Sequence, residues 1–200
     1  MSATAAERVI MGIDPGTNRM GYGVLRVNGR KVSAEVLGDI DLHRTGDTYA
    51  KLGYIFRRVS ELIREYDPDE VALESPFFGE NVQSMLKLGR AQGVAMAAAL
   101  NCGKRVFEYA PRRIKQSITG QGGASKTQVA ELLKNMLGIE YNPKRLDATD
   151  GLAVALCHYF VTGSPIAQPA PRQLRRHASC TSWETFLKNN PDRVKKTNNI

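Results

Sequence analysis

The N-terminal part of the chain alternates apolar and polar positions in short runs, which is the pattern of β-strands. The first run, residues 9–13, ends on Asp14 and breaks at once into a Pro-Gly turn. Residues 21–27 and 31–40 form two further runs, and the Asn28-Gly29 pair between them is a strong hairpin signal. We therefore predict that the chain opens as an antiparallel meander of three strands.

The remainder alternates helical periodicity with two short strand patterns. The predicted elements are a helix from Asp47 or Thr48, a strand over 70–74, a helix over about 81–100, a strand over 105–109, a short helix from Pro111, a helix from Ser125 to Leu137, and a last helix from Asp147. The predicted fold class is α/β, with a mixed five-stranded sheet flanked by helices. Three antiparallel strands come first, and parallel strands follow.

Composition divides the chain near Gly163, where Ser, Pro, Gln and Arg become frequent. Residues 1–162 are predicted to form one folded domain, and residues 163–200 a basic, flexible tail. The N-terminus lacks the pattern of a signal peptide, and no apolar run is long enough for a membrane span, so we expect a cytoplasmic protein. Three cysteines without a close pair argue against a disulfide framework and a zinc site.

The formal net charge of +8 favours polyanionic partners. Seven basic and two acidic residues from Gly163 onward give the tail a net charge of +5, which leaves +3 for the domain. The domain has its own basic cluster, formed by Lys104, Arg105, Arg112, Arg113, Lys115, Lys126 and Lys134. Such a run is usually a solvated face, and only a position near a reactive site would give it a binding role.

Four carboxylates stand where rigid structure would hold them. Asp14 and Glu74 end predicted strands, while Asp147 and Asp150 are three residues apart and leave one face of a helix. The simpler alternatives are that Asp14 belongs to a plain turn and that Asp147 caps its helix. Carboxylates without a nearby histidine select hard cations, Mg²⁺ or Mn²⁺, and two such ions about 4 Å apart can promote a phosphoryl displacement. We interpret the four residues as one metal site.

Two other patterns leave alternatives open. Gly120 to Thr127 comes close to a phosphate-binding P-loop, but a helical segment rather than a strand precedes it. We therefore interpret Ser125 and Gln128 as a helix capping box. Gly89, Gly93 and Ala97, four residues apart, indicate either close packing in the core or a dimer interface.

Several segments together resemble a known family. They are Gly12-Ile13-Asp14-Pro15-Gly16, Gly21-Tyr22-Gly23-Val24, Ala72-Leu73-Glu74, Leu86 to Gly93 and Asp147 to Ala153. In order and spacing, from about Val9 to Tyr159, they resemble the RuvC crossover junction endodeoxyribonucleases. The resemblance implies an RNase H-like fold, a homodimer, Mg²⁺ as cofactor, with two ions per site and Mn²⁺ as a substitute, and four-way junction DNA as substrate. It also implies the branch-migration proteins RuvA and RuvB as partners, and paired nicks with 5′-phosphate and 3′-hydroxyl ends.

The resemblance implies roles for individual residues as well. Asp14, Glu74, Asp147 and Asp150 match the catalytic metal ligands. Phe77 falls where the family has an aromatic residue that engages junction bases, and Lys115 and Lys126 match lysines of the DNA-binding face. The same basic cluster adds Arg112 and Arg113 as DNA-binding candidates.

Three rival interpretations belong to other classes. Asp14-Pro15-Gly16-Thr17 resembles the first phosphate loop of actin-like phosphotransferases, but those enzymes need two such domains. A catalytically silent DNA-binding module would leave the four carboxylates unexplained. An RNA–DNA hybrid hydrolase would use the same scaffold, although Phe77 and the small-residue stripe argue against it.

Overall fold

A mixed five-stranded sheet with helices on both faces forms the fold, and the computed structural model describes residues 7–76, 81–143 and 145–163. The elements are β1 (Arg8–Asp14), β2 (Arg19–Asn28), β3 (Lys31–Asp41), α1 (Thr48–Tyr66), β4 (Glu70–Glu74), α2 (Val82–Asn101), β5 (Arg105–Tyr109), α3 (Pro111–Thr119), α4 (Lys126–Leu137) and α5 (Asp147–Gly163). The strand order is β3-β2-β1-β4-β5. Pairing is antiparallel from β1 to β3 and parallel among β1, β4 and β5, so the predicted fold class is confirmed.

Each face of the sheet buries its own core. Successive side chains of a strand point to opposite faces, so Met11 and Ile13 pack with α1 and α2 while Ile10 packs with α3, α4 and α5. Asp14 is four residues beyond Ile10 and therefore belongs to the face that α5 covers. Of the helices within the described ranges, none combines the length and the hydropathy that crossing a bilayer requires.

The helix ends follow the predicted chemistry. Asp47 caps α1, since its side chain accepts a hydrogen bond of 2.8 Å from the backbone N–H of Ala50. Ser125 and Gln128 form the predicted capping box of α4. Helix α3 precedes that cap, which confirms that this glycine-rich segment is not a strand-to-helix phosphate loop.

The interpretation of the small-residue stripe as core packing is wrong. A side chain built at Gly89 or Gly93 would meet nothing within 4 Å among the described atoms, and Ala97 is exposed. These positions on α2 face away from the sheet. The alternative interpretation, a dimer interface, stays a prediction.

A buried polar network ties the far end of α5 to the sheet. Glu70 is only 5% exposed and receives hydrogen bonds from Arg8 Nε at 2.8 Å and Arg105 Nη2 at 2.5 Å. The fully buried His158 lies with Nε2 2.9 Å from Glu70 Oε2 and with Nδ1 2.7 Å from the Tyr109 hydroxyl. Burial alone would raise the pKa of Glu70, but the hydrogen bonds from His158 and Arg8 outweigh it and lower that pKa to about 2.

We expect Glu70→Gln to destabilise the protein by about 1–3 kcal/mol at pH 7, because charge-assisted hydrogen bonds are lost in a buried site. Since the pKa of Glu70 is lower in the folded than in the unfolded state, its contribution is present above about pH 4.5 and lost as the pH falls towards 2. Denaturant unfolding at several pH values measures this, with Glu61→Gln on the exposed face of α1 as control. A difference from wild type that stays constant from pH 7 to pH 3 would contradict it.

Candidate active site

Two of the predicted carboxylates lie side by side at one end of the sheet. Asp14 ends β1 and Glu74 ends β4, and these strands are parallel neighbours with Ile13 opposite Leu73. Paired residues of parallel strands point to the same face, so both carboxylates lie on the face that α5 covers. The sequence prediction that strand ends would hold them is confirmed.

Glycines bring the start of α5 onto this strand end. A Cβ atom added at Gly21 of β2 would lie 1.7 Å from the backbone oxygen of Asp147, and one added at Gly151 would lie 2.5 Å from the Cα atom of Tyr22. Backbone therefore packs on backbone, which only glycine permits at these positions. Since Asp14 pairs with Gly21 across the ladder, this contact carries the first turn of α5, with Asp147 and Asp150, towards Asp14.

The carboxylates shift one another's proton affinity. The pKa of Asp14 lies well above its usual range because of burial and the nearby charges of Glu74 and Asp150, with a smaller effect of Asp147. Burial and Asp150 raise the pKa of Glu74 to about 7 although Lys126 and Lys115 oppose the shift. The pKa of Asp150 is raised too, mainly by burial. Ionisation of all these carboxylates at once is therefore unfavourable unless a cation neutralises part of their charge.

Two lysines face the carboxylates. Lys126, at the first position of α4, donates a hydrogen bond to Asp150 Oδ2, and Lys115 on α3 lies close enough to lower the pKa of Glu74. Asp14, Glu74, Asp150, Lys115 and Lys126 together line a cavity of about 260 Å³. Of the basic cluster, these two lysines therefore lie beside the carboxylates, which is the position that a binding role requires.

Other predicted residues lie elsewhere. Asp147 does not line this cavity, although its charge reaches Asp14 and Asp150. Arg112 and Arg113 are exposed on α3, outside the cavity lining, so their contact with DNA stays a prediction. Phe77 and the tail lie outside the described residues.

Sequence reasoning missed one positioning residue, Gln92. Gln92 is 6% exposed, and its side-chain amide donates to the backbone oxygen of Glu74 at 3.3 Å and to Glu108 Oε1 at 2.7 Å. It thereby fixes the strand end that carries Glu74. The sequence did contain a signal for this role. Gln92 is the one polar residue on the buried face of α2, whose other members are Ala91, Ala95, Ala98 and Ala99.

The donor set suits a hard cation. Carboxylate oxygens are the ligands that Mg²⁺ and Mn²⁺ prefer, and mutual repulsion of buried carboxylates is what a cation relieves. As the side chains stand, no group of three acidic, histidine or cysteine residues in the described part of the chain is gathered closely enough to hold a metal ion. Lys126 forms an ion pair with one of the carboxylates, Asp150.

Fold and site together define a class. A five-stranded mixed sheet in this order, with acidic residues at the ends of β1 and β4 and on a covering helix, is an RNase H-like nuclease fold. Within that class, the chain belongs to the RuvC family of crossover junction endodeoxyribonucleases, whose family model matches residues 10–158.

Individual relatives agree with this assignment. The RuvC of Cytophaga hutchinsonii is 51% identical over 194 residues, which cover 97% of this chain and 92% of the relative. The RuvC of Bacteroides fragilis is 52% identical over 191 residues, covering 94% of this chain and 97% of the relative. A solved structure of Thermus thermophilus RuvC in complex with a Holliday junction substrate is 33% identical with a TM-score of 0.71, and covers 78% of this chain and 94% of that one.

Because the pKa of Glu74 is shifted, we predict that the stability of the protein without bound metal depends on pH. Because this pKa is about 7 in the folded state and ordinarily 4.5, Glu74 favours folding below about pH 4.5, and that contribution is lost as the pH rises through 7. With a chelator at pH 8, we expect Glu74→Gln to melt a few degrees above wild type. At pH 5 the difference should shrink, and Mg²⁺ should stabilise wild type more than the variant.

Melting curves at both pH values, with chelator or with Mg²⁺, measure these differences. Glu61→Gln serves as the matched exposed control, since it removes the same charge far from the site. Equal melting temperatures of Glu74→Gln and wild type in chelator at pH 8 would contradict the predicted repulsion.

Proposed function

We propose that this protein is a Holliday junction resolvase, a metal-dependent endonuclease that nicks opposed strands of four-way DNA junctions during recombination and repair. The observation that carries the proposal is the cavity in which Asp14, Glu74 and Asp150 meet Lys115 and Lys126, in a chain of the RuvC family. DNA fits both parts of this site. Its phosphates can bind to the lysines, and hydrolysis of its phosphodiester bonds can use metal ions held by the carboxylates.

The four carboxylates Asp14, Glu74, Asp147 and Asp150 would hold two divalent ions, Mg²⁺ or Mn²⁺. Such ions would supply the Lewis acidity that hydrolysis of a phosphodiester bond needs, and the expected products carry 5′-phosphate and 3′-hydroxyl ends. The protein contributes rigidity, because the ladder and Gln92 hold Glu74 while the glycine contacts hold α5. Lys115 and Lys126 contribute positive charge that positions a DNA phosphate over the carboxylates.

We expect Asp14→Asn to abolish cutting of a four-way junction, a loss of about 10³-fold or more, because one ligand and its charge disappear from the centre of the site. Junction affinity should stay within about threefold of wild type, since Asp14 itself repels phosphate. Single-turnover cleavage and gel-shift binding measure the two effects, with Glu61→Gln as a charge-matched control. If Asp14→Asn loses binding but the bound fraction cuts at the wild-type rate, the assignment is wrong.

We also propose that the protein acts as a homodimer through α2. Val82, Leu86 and Leu100 are 63%, 51% and 59% exposed and lie in one stripe with Gly89 and Gly93. The stripe spans about 27 Å of helix, and its small middle would let two helices approach closely. A two-fold dimer would present two sites to a two-fold symmetric junction.

Gly93→Glu is expected to convert this dimer to a monomer, because a charged side chain enters the centre of the stripe. Sedimentation across a concentration series measures the state, and paired nicking should become unpaired. Met136→Glu, which places the same charge at an apolar position of α4 that is 47% exposed, controls for surface charge. A Gly93→Glu protein that stays dimeric would overturn this interface.

Family membership supports two further proposals, that the protein works in the cytoplasm and that it cooperates with the branch-migration proteins RuvA and RuvB. In this proposal, RuvA and RuvB deliver the four-way junction to the protein in the cytoplasm.

A further inference from the structure

A second, larger cavity opens at the same end of the sheet, on the opposite face. It has a volume of about 460 Å³ and lies between the β1–β2 loop, α1 and α2. Among its lining residues are Thr17 and Asn18 of the loop, Thr48 and Lys51 of α1, and Ser84 and Lys87 of α2. This volume is large enough for a nucleotide-sized group. The acidic cavity described above uses none of these residues.

The wall of this cavity is firmly built. A Cβ atom at Gly16 would lie 1.7 Å from the backbone oxygen of Arg19, so the loop after Asp14 is tightly closed. The backbone N–H of Leu42 donates to the backbone oxygen of Asn18 at 2.9 Å, and Lys51 Nζ donates to the backbone oxygen of Thr17 at 3.3 Å. The Lys51 ammonium is thereby held beside the loop that carries Asp14.

The charge of the cavity is positive on balance. Lys51 and Lys87 line it, and neither forms an ion pair within the described part of the chain. One carboxylate, Asp47, also lines it, and one of its oxygens already accepts the α1 capping hydrogen bond. Helices α1 and α2 both begin here, and their N-terminal dipoles add to the attraction for an anion.

A narrow crevice lies beside the acidic cavity at this end of the sheet. Asp14, Pro15, Glu74 and Leu88 line it, so it shares the two carboxylates with the acidic cavity. Leu88 follows Lys87, which lines the second cavity, along α2. At this end of the sheet, lysines therefore line a cavity on each face: Lys115 and Lys126 on the α5 face, and Lys51 and Lys87 on the other. A DNA strand whose scissile phosphate lies at the carboxylates has phosphates on both sides of it.

We propose that the Lys51–Lys87 cavity is a second phosphate subsite, which binds the backbone of the strand being cut a few nucleotides from the scissile phosphate. The inference rests on the proposed function. It states that the DNA strand being cut passes from the carboxylates towards Lys51 and Lys87. Phosphate contacts of this kind position the strand without reading its sequence.

The test begins with binding of Lys87→Ala, Lys51→Gln and the double variant to a four-way junction in chelator, across a series of salt concentrations. We expect the double variant to bind about tenfold more weakly, and its salt dependence to fall by about one ion per lysine removed. Lys31→Ala is the matched control, because Lys31 is exposed in the hairpin at the opposite end of the sheet. Lys87→Ala also separates charge from folding, since of the two lysines only Lys51 donates a hydrogen bond to the loop.

The second step uses junctions with a neutral methylphosphonate at one position at a time. For wild type, a neutral linkage on one side of the cut should weaken binding, and in the double variant that loss should disappear. Neutral linkages on the other side of the cut should still weaken both proteins. This non-additivity is expected only if the lysines touch that phosphate.

Three results would overturn the subsite. The double variant binding as tightly as Lys31→Ala would do so, as would a methylphosphonate effect that persists in the double variant. Slower cutting with unchanged affinity and salt dependence would instead assign Lys51 to positioning of the loop. If wild type neither binds nor cuts the junction, the proposed function itself fails.

Discussion

The structure depends on one close contact, the packing of α5 directly on the backbone of β1 and β2. There is no room for a Cβ atom beneath the helix at Gly12, Gly21 or Gly23 of the strands. On the helix, a Cβ atom at Gly151 would in turn clash with the backbone of β2. This contact fixes both the depth and the rotation of α5, because neither partner has a side chain to act as a spacer. The register of β1 with β4 then places Glu74 beside Asp14. A site assembled from two strands and a helix thus rests on positions that carry no functional group.

The same contact creates an electrostatic cost. Buried carboxylates raise one another's pKa at the acidic end of α5, whereas at the far end Arg8, Arg105 and His158 surround Glu70 and its pKa falls. Helix α5 therefore covers two acidic sites with opposite energetics. The carboxylates near its first turn repel one another, whereas Glu70 near its far end is paired with basic side chains. The Lys126 ammonium partly offsets this cost, because it donates a hydrogen bond to Asp150 and lowers the pKa of Asp150 and of Glu74.

Much of this was predictable from sequence, for identifiable reasons. Alternation, the Asn-Gly turn and the capping box predicted the elements, and strand-end carboxylates predicted Asp14 and Glu74, because each signal is local. The helical spacing that joined Asp147 to Asp150 was also local, but which of them faces the cavity depends on how α5 rotates on the sheet. The spacing of Gly89 and Gly93 left core packing and a dimer interface open, since small residues permit close packing on either side of a helix, and the core alternative is the one that the structure contradicts. Gln92 was missed because its partners are distant in sequence.

The most direct test of the central claim, a carboxylate site that cuts four-way junctions, is a cleavage assay on three substrates. A mobile synthetic four-way junction, a linear duplex and an RNA–DNA hybrid are incubated with the protein, with and without Mg²⁺. The account predicts paired, symmetric, metal-dependent nicks on the junction alone. Cutting of the hybrid would retain the fold and the carboxylates but replace the substrate. Tight junction binding without cutting under any divalent ion would contradict the role of the four carboxylates.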